Sequence, residues 1–125
     1  MKKKTKIKWL DAPEAHDYPA AKSYLNLILG KGNVSEIVLN LKAVGMDSFK
    51  VKDIFRASKL SLLGISNSHV KRNCKKIDKG DRLSPLLLVV DSANRTLIIA
   101  DGYHRMCAVY LYDEDALIPC KIVII

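Results

Sequence analysis

Residues 97 to 111, LIIADGYHRMCAVYL, set Asp101, Gly102, Tyr103, His104 and Arg105 side by side where an apolar run gives way to a helical pattern. A helix start leaves its first backbone N–H groups without intrahelical partners and carries a partial positive charge, so an anion placed there gains hydrogen bonds and favourable electrostatics. Gly102, with no side chain, admits a ligand close to the backbone. Arg105 can fork hydrogen bonds onto phosphate oxygens, and His104 can donate one or move a proton. Asp101 has two readings: it caps the helix and takes the donors an anion would use, or it points away and holds magnesium or a substrate hydroxyl. A merely polar turn stands as the alternative to a phosphate cradle, because short motifs often match by chance. The phosphate reading makes one geometric demand, that the main chain around Gly102 open as a concave anion receptor with the Arg105 guanidinium aimed into it.

Four other groups have the residue types for chemistry. In DAPEAHD, Asp11, Glu14, His16 and Asp17 can bind a metal or exchange protons if the segment folds over the loop; no ligand spacing matches a metal motif, so a solvated loop with Asp17 near a helix start is the expectation. His69 opens a basic helix, where a surface or capping role is expected. His104 and Cys107 have a chelating spacing, but Cys107 falls on an apolar stripe and reads as a buried thiol, so no metal site is assigned. The DED run at 113–115 reads as a polar loop, with Glu114 as a remote candidate base.

The elements that must position these residues follow from periodicity and punctuation. Residues 17–29 read as a helix with Ala21, Tyr24, Leu25 and Ile28 inward and Gly30 as the stop. Asn33 and Glu36 suggest a capping box for a second helix with an apolar stripe of Val34, Ile37, Val38, Leu41 and Val44 ending at Gly45. FKVKDIF fits a short strand running into a turn of helix, and LSLLGIS has no clear period. In 68–79, Val70, Cys74 and Ile77 form a narrow seam on a helix otherwise covered by Lys71, Arg72, Lys75, Lys76 and Lys79, with Asn67 as N-cap and Gly80 as terminator. LLLVVD, SANR and TLIIA predict a hairpin buried on both faces; Met106, Cys107, Tyr110 and Leu111 mark one side of the helix from Tyr103 to Tyr112, and IPCKIVII predicts a closing strand. The order of elements predicts an α+β domain with a small mixed β-sheet and flanking helices.

Composition narrows the classes. At 125 residues the chain reads as one domain able to bury roughly two-thirds of its unfolded surface. Its 49% apolar and 27% charged content suits a soluble globular protein, and no apolar run reaches membrane-spanning length. The lysine-rich start lacks a following apolar stretch, and three cysteines at wide spacing suggest neither a disulfide framework nor a zinc knuckle, so the expected setting is cytoplasmic. The net charge of +8 favours polyanionic partners, although five of the 21 basic residues lie in the first eight positions, as a solvated arm would.

SPLLLVVD, a turn, TLIIADGYHRMCAVYL and IPCKIV resemble the shared core of the ParB/sulfiredoxin-like superfamily (the ParB N-terminal-like nuclease domain), in which a strand, a D/G-G-x-H-R loop and a helix precede a strand beginning Ile-Pro. The likeness covers residues 84–124 well and reaches weakly back to 49; the opening WLDAPEAHDYPAA is similar to that of small bacterial proteins with an ADGYHR loop. The resemblance implies a basic arm and helical extension at 1–48 and a core at 49–125 within one compact unit, with a loop that binds nucleotide phosphates. Members use that loop for sulfinic acid reduction with ATP, free serine phosphorylation, CTP-gated DNA clamping, and nuclease or ATPase activity. Sulfiredoxins carry a reactive cysteine where this sequence has Tyr103. Chromosome-partition ParB proteins carry a helix-turn-helix region after the core, whereas this sequence stops at Ile125. The serine-kinase branch shares the loop, but its second catalytic acid aligns with no residue here.

Residues and resemblance together lead to one expectation: a nucleotide or other phosphorylated small molecule binds at Gly102, Tyr103, His104 and Arg105, with Asp101 and His104 as catalytic candidates. ATP or another nucleotide with magnesium is the implied cofactor, and phosphoryl transfer or NTP hydrolysis the reaction class if the protein is an enzyme. The alternative is a nucleic-acid-binding module, with or without nuclease activity, in which the lysine arm, the loop and Lys71, Arg72, Lys75, Lys76 and Lys79 meet backbone phosphates. In a further reading the loop is a relic and the partner is another protein.

Overall fold

The computed structural model describes residues 6–30 and 33–125. Its centre is a mixed sheet of four strands in the order β2 (Asp47–Lys50), β6 (Leu117–Ile124), β4 (Leu86–Asp91) and β5 (Thr96–Asp101). β6 runs parallel to β4, and the β2–β6 and β4–β5 pairs are antiparallel. The short strands β1 (Lys8–Trp9) and β3 (Arg82–Leu83) form a separate parallel pair. This is the expected α+β class with a small mixed sheet and flanking helices.

Both faces of the sheet are covered, which explains why LLLVVD and TLIIA carry continuous apolar runs, Leu86 to Val90 and Leu97 to Ala100, rather than alternating ones. Leu87, Val89, Ile98 and Ala100 pack beneath α1 (Asp17–Leu29) and α2 (Val34–Ala43). Leu86, Leu88, Leu97 and Ile99 point the other way, toward α3 (Val51–Ser58), α4 (Ser68–Lys79) and α5 (Tyr103–Tyr112). The helices of residues 17–43 thus form one layer of the same body, and the boundary drawn at 48/49 falls inside β2.

Local chemistry accounts for most element ends. The Asn67 side chain accepts hydrogen bonds from the His69 and Val70 N–H groups at the start of α4, and Gly80 ends that helix at φ 77°. The capping box at α2 does not form: Asn33 sits at φ −114° and ψ −1°, outside the extended region from which a capping side chain reaches back, and makes no cap bond. That helix also stops at Ala43, where Val44 turns extended, before Gly45 is reached. In α1 the buried stripe is narrower than expected. Ala21 and Leu25 are fully buried, while Tyr24 and Ile28 keep 41% and 46% exposure because α2 and β5 meet only one side of the helix. FKVKDIF resolves into β2 followed by two turns of α3, and the segment between α3 and α4 is irregular.

Of the lysine arm, Lys2, Lys3 and Lys4 lie outside the described residues, and Lys8 belongs to β1. Among the described residues no helix is long and apolar enough to cross a membrane. Cys74, Cys107 and Cys120 are free and buried.

Candidate functional site

The hairpin sets the geometry at Asp101. The β4–β5 ladder slips between Leu87 and Leu88, so that Leu87 opposes Asp101 while Leu88 opposes Ile99. Such a bulge re-aims the residues beside it. Here it lies at Ala100, beside the last residue of β5, and Gly102 then turns the chain into α5 at φ 111°. A Cβ on Gly102 would lie 2.6 Å from Leu86 Cγ, 2.9 Å from Leu86 Cδ1 and 3.0 Å from Arg105 Nη2. Glycine is therefore needed to seat the helix on β4. The space it leaves is filled by Leu86 and Arg105, not held open for a ligand as the spacing suggested.

Among the described residues no side chain is hydrogen-bonded to the first-turn N–H groups of α5, so Asp101 does not take the donors at its start. Asp101 instead binds Arg105: Nη2 donates to Asp101 Oδ2 at 2.9 Å and to the Pro85 carbonyl at 3.5 Å. The two side chains retain 18% and 17% exposure. The guanidinium is thus engaged behind the loop rather than aimed into an open receptor, and its buried Nε finds no hydrogen-bond partner among the described residues. Leaving such a donor unmatched costs about 1–3 kcal/mol, so Asp101 and the packing around Arg105 must hold the side chain there.

The structure brings Asp17 to the same place. Asp17, at the first turn of α1, keeps only 3% exposure and is in no sense part of a solvated loop. The Ser84 hydroxyl donates to its Oδ2, and the Glu14 backbone N–H donates to the same oxygen at 3.0 Å and to Ser84 Oγ at 3.2 Å. His16 lies 3.4 Å from Asp17 Oδ1 and 3.5 Å from Glu14, on a side chain 76% exposed. The Asp17 carboxyl group lies near enough for its charge to act on Asp101. Burial pushes the Asp101 pKa upward, Arg105 pulls it down, and the neighbouring Asp17 adds a further upward push. Asp101 is therefore bound to Arg105 of α5 and lies within the electrostatic influence of Asp17 of α1.

The exposed side of the loop carries two imidazoles. His104 lies with its ring centroid 4.8 Å from that of His69 at the start of α4, and 5.3 Å from the Tyr103 ring. Partial burial lowers the His104 pKa, and the nearby His69 lowers it further. The Tyr103 hydroxyl donates to the Ser61 carbonyl at 2.6 Å, which ties the irregular segment before α4 against α5. Tyr112, near the other end of α5, donates to Asp78 Oδ1 at 2.6 Å and approaches the Cys74 carbonyl at 3.1 Å, so α4 and α5 run side by side with their N-terminal ends together. Lys71, Arg72, Lys75, Lys76 and Lys79 are all exposed on α4.

Of the expected site residues, Asp101, Gly102, Tyr103, His104 and Arg105 lie together. Cys107 is buried among core residues, its thiol pKa pushed up by burial. Glu114 is remote; its carbonyl accepts from the Lys52 N–H at the start of α3. Ser84 was not expected here, His69 was expected only in a surface or capping role, and Asp17 was placed near the loop only in the alternative reading of DAPEAHD. For Ser84 a signal existed: it stands two residues before the strand antiparallel to TLIIAD, and so at the sheet end where Asp101 emerges. For Asp17 the signal was the acidic and histidine-bearing DAPEAHD segment, but its placement depends on how α1 crosses the sheet.

Divalent cations fit this set only as shared guests. Among the described residues no group of three or more His, Cys, Asp or Glu side chains could hold a metal. The part of Asp101 left exposed can contribute one carboxylate to magnesium whose other ligands are phosphate oxygens and water, as that ion commonly binds. Compared with known proteins, the chain matches no family model, no curated protein and no solved structure.

Proposed function

We propose that this protein binds a phosphorylated small molecule, in the first instance a nucleotide, at the start of α5. The observation that carries the reading is the helix N-terminus at Gly102, with no side-chain cap among the described residues, and two imidazoles, His104 and His69, beside it with ring centroids 4.8 Å apart. The N–H groups of the first turn supply donors and the helix dipole supplies field, while His104 supplies charge once an anion draws a proton onto it and His69 supplies a further donor. The resemblance to the ParB/sulfiredoxin-like core is consistent with this, since the matching residues are the ones around that turn.

In this reading Arg105 serves two ends. Its charge lies behind the loop and adds to the positive field, and its bond to Asp101 holds that carboxyl group at the edge of the site. If the bound phosphate reacts, phosphoryl transfer is the class the residues suit: Asp101 accepts a proton from an incoming hydroxyl or shares magnesium with the phosphate, and His104 donates to a phosphate oxygen. Calorimetry with ATP, ADP, AMP and inorganic phosphate tests the binding step. His104→Ala and His69→Ala should each weaken the tightest of these by about tenfold, the loss of one charge-assisted contact; equal affinity in both variants overturns the site.

A second reading has its own observation. Five cationic side chains lie exposed on α4, whose first turn abuts the loop through His69, so a nucleic-acid backbone can follow the helix and end at the same anion site. Reversing charge at Lys71, Lys75 and Lys79 should then abolish DNA binding and flatten its salt dependence while leaving nucleotide affinity unchanged.

A further inference from the structure

Where α1 packs against α2, a groove of about 440 Å³ opens between them, and no residue of the 101–105 loop lines it. Helical spacing decides what it displays. Tyr18 and Lys22 lie one turn apart on α1; Ser35 and Leu39, and likewise Val38 and Lys42, lie one turn apart on α2, so each pair shares a face. Val38 is buried at the base, whereas Leu39 keeps 63% exposure on the α2 wall, opposite the ring of Pro19 on α1. From Ser35 to Lys42 the helical rise gives a length of about 10 Å. That is room for about three residues of extended peptide.

The charge of this groove has one sign. Lys22 and Lys42 are the charged residues that line it, and neither has a carboxylate partner among the described residues. The Lys42 ammonium lies over the Tyr18 ring, 5.4 Å from its centroid, a contact that holds the cation at the groove. Lys121 of β6 brings a third ammonium to the same end of α2, where it donates to the Lys42 carbonyl at 2.9 Å. The nearest carboxylates in the chain are turned to other work or other faces. Asp17, next to Tyr18, is buried, and its Oδ2 accepts from the Ser84 hydroxyl and the Glu14 N–H. Asp47, across from Cys120 in β2, accepts from the Ser48 N–H, and Glu36, roughly a quarter turn round α2 from Ser35, lines no part of the groove.

We propose that this groove docks an acidic segment of a partner protein, with Asp or Glu carboxylates on Lys22 and Lys42 and an apolar side chain on Val38 and Leu39. The two lysines, offset by no carboxylate in the lining, select the sign of the partner. The hydrocarbon of Pro19, Val38 and Leu39 favours a peptide over a nucleic-acid backbone, whose phosphates gain nothing from apolar surface. The Tyr18 and Ser35 hydroxyls can donate to peptide carbonyls. Exposed ion pairs are individually weak and are screened by salt, so the apolar contact and both lysines act jointly.

The probe is a fluorescein-labelled peptide of repeated Glu-Glu-Leu triplets, added to the full chain, with affinity read by anisotropy and backbone amides by NMR. Saturable shifts are expected at Tyr18, Lys22, Leu39 and Lys42. The Lys22→Gln/Lys42→Gln variant, altered only at exposed side chains, should bind about tenfold more weakly at unchanged Tm. Leu39→Ala should bind several-fold more weakly, as the loss of apolar contact requires. Amides that do not shift, or shifts confined to the basic face of α4, overturn the proposal. So does undiminished affinity in the double lysine variant, or equal binding of a Lys-Lys-Leu peptide. Tighter binding of a DNA duplex at the same four amides overturns it in favour of a nucleic-acid occupant.

Discussion

Gly102→Ala separates the structural role of this residue from a ligand-binding one. The new methyl group would lie 2.6 Å from Leu86 Cγ, and Leu86 has no exposed surface into which to retreat. Overpacking of this kind costs about 1–3 kcal/mol, and a left-handed backbone angle about 1–2 kcal/mol more for a residue with a Cβ. The sum, about 2–5 kcal/mol, is a large share of the roughly 5–15 kcal/mol by which domains are stable. Urea denaturation monitored by circular dichroism measures it. Leu86→Ala on its own should cost about 2–5 kcal/mol. Combined with Gly102→Ala it should cost less than the sum by about 1 kcal/mol or more, because the deleted side chain is the one the methyl strikes. A Gly102→Ala protein within about 0.5 kcal/mol of the original, or strict additivity with Leu86→Ala, would refute the packing derived for this turn.

Arg105→Ala strips Asp101 of its cation beside Asp17 and should destabilise by about 2–4 kcal/mol at pH 7, somewhat under the usual cost of breaking a fully buried pair. Because the Asp101 pKa is raised, its protonated form is the one the fold favours; the deficit should shrink as pH falls through that raised value, which denaturation at pH 7 and pH 4 would show. His104 works in the opposite sense: its lowered pKa means that the stability it contributes is whole above its ordinary 6.5 and is lost as pH falls through the depressed folded value. His104→Gln should flatten that part of the stability profile. Cys120, with its pKa pushed up to about 12 by burial, and the buried Cys107 should resist a thiol reagent at pH 8 in the native protein and react on unfolding.

Elements whose reasons are local were legible from the residues. Asn67 and Gly80 bracket α4 because capping and left-handed termination depend on single side chains, and the β4–β5 hairpin was visible because burial on both faces leaves only the strand ends polar. Asn33 misled because its neighbours set a backbone angle that its side chain chemistry does not reveal. Residues 101–105 are neighbours in the chain, but which way Arg105 turns depends on the bulge at Ala100 and on the partners of Asp101, both products of tertiary packing. The Asp17–Ser84 contact joins residues 67 apart in the chain and follows from the crossing of α1 over the end of the sheet.

The most direct test of the anion site is an NMR titration that follows the backbone amides of Tyr103, His104 and Arg105 and the His104 ring as inorganic phosphate and then ATP are added. Phosphate bound at the first turn should shift those three amides saturably and raise the His104 pKa from its depressed value, because the anion offsets both burial and the charge of His69. Amides that do not respond, together with a His104 pKa indifferent to either anion, would contradict the claim that α5 opens as a phosphate receptor.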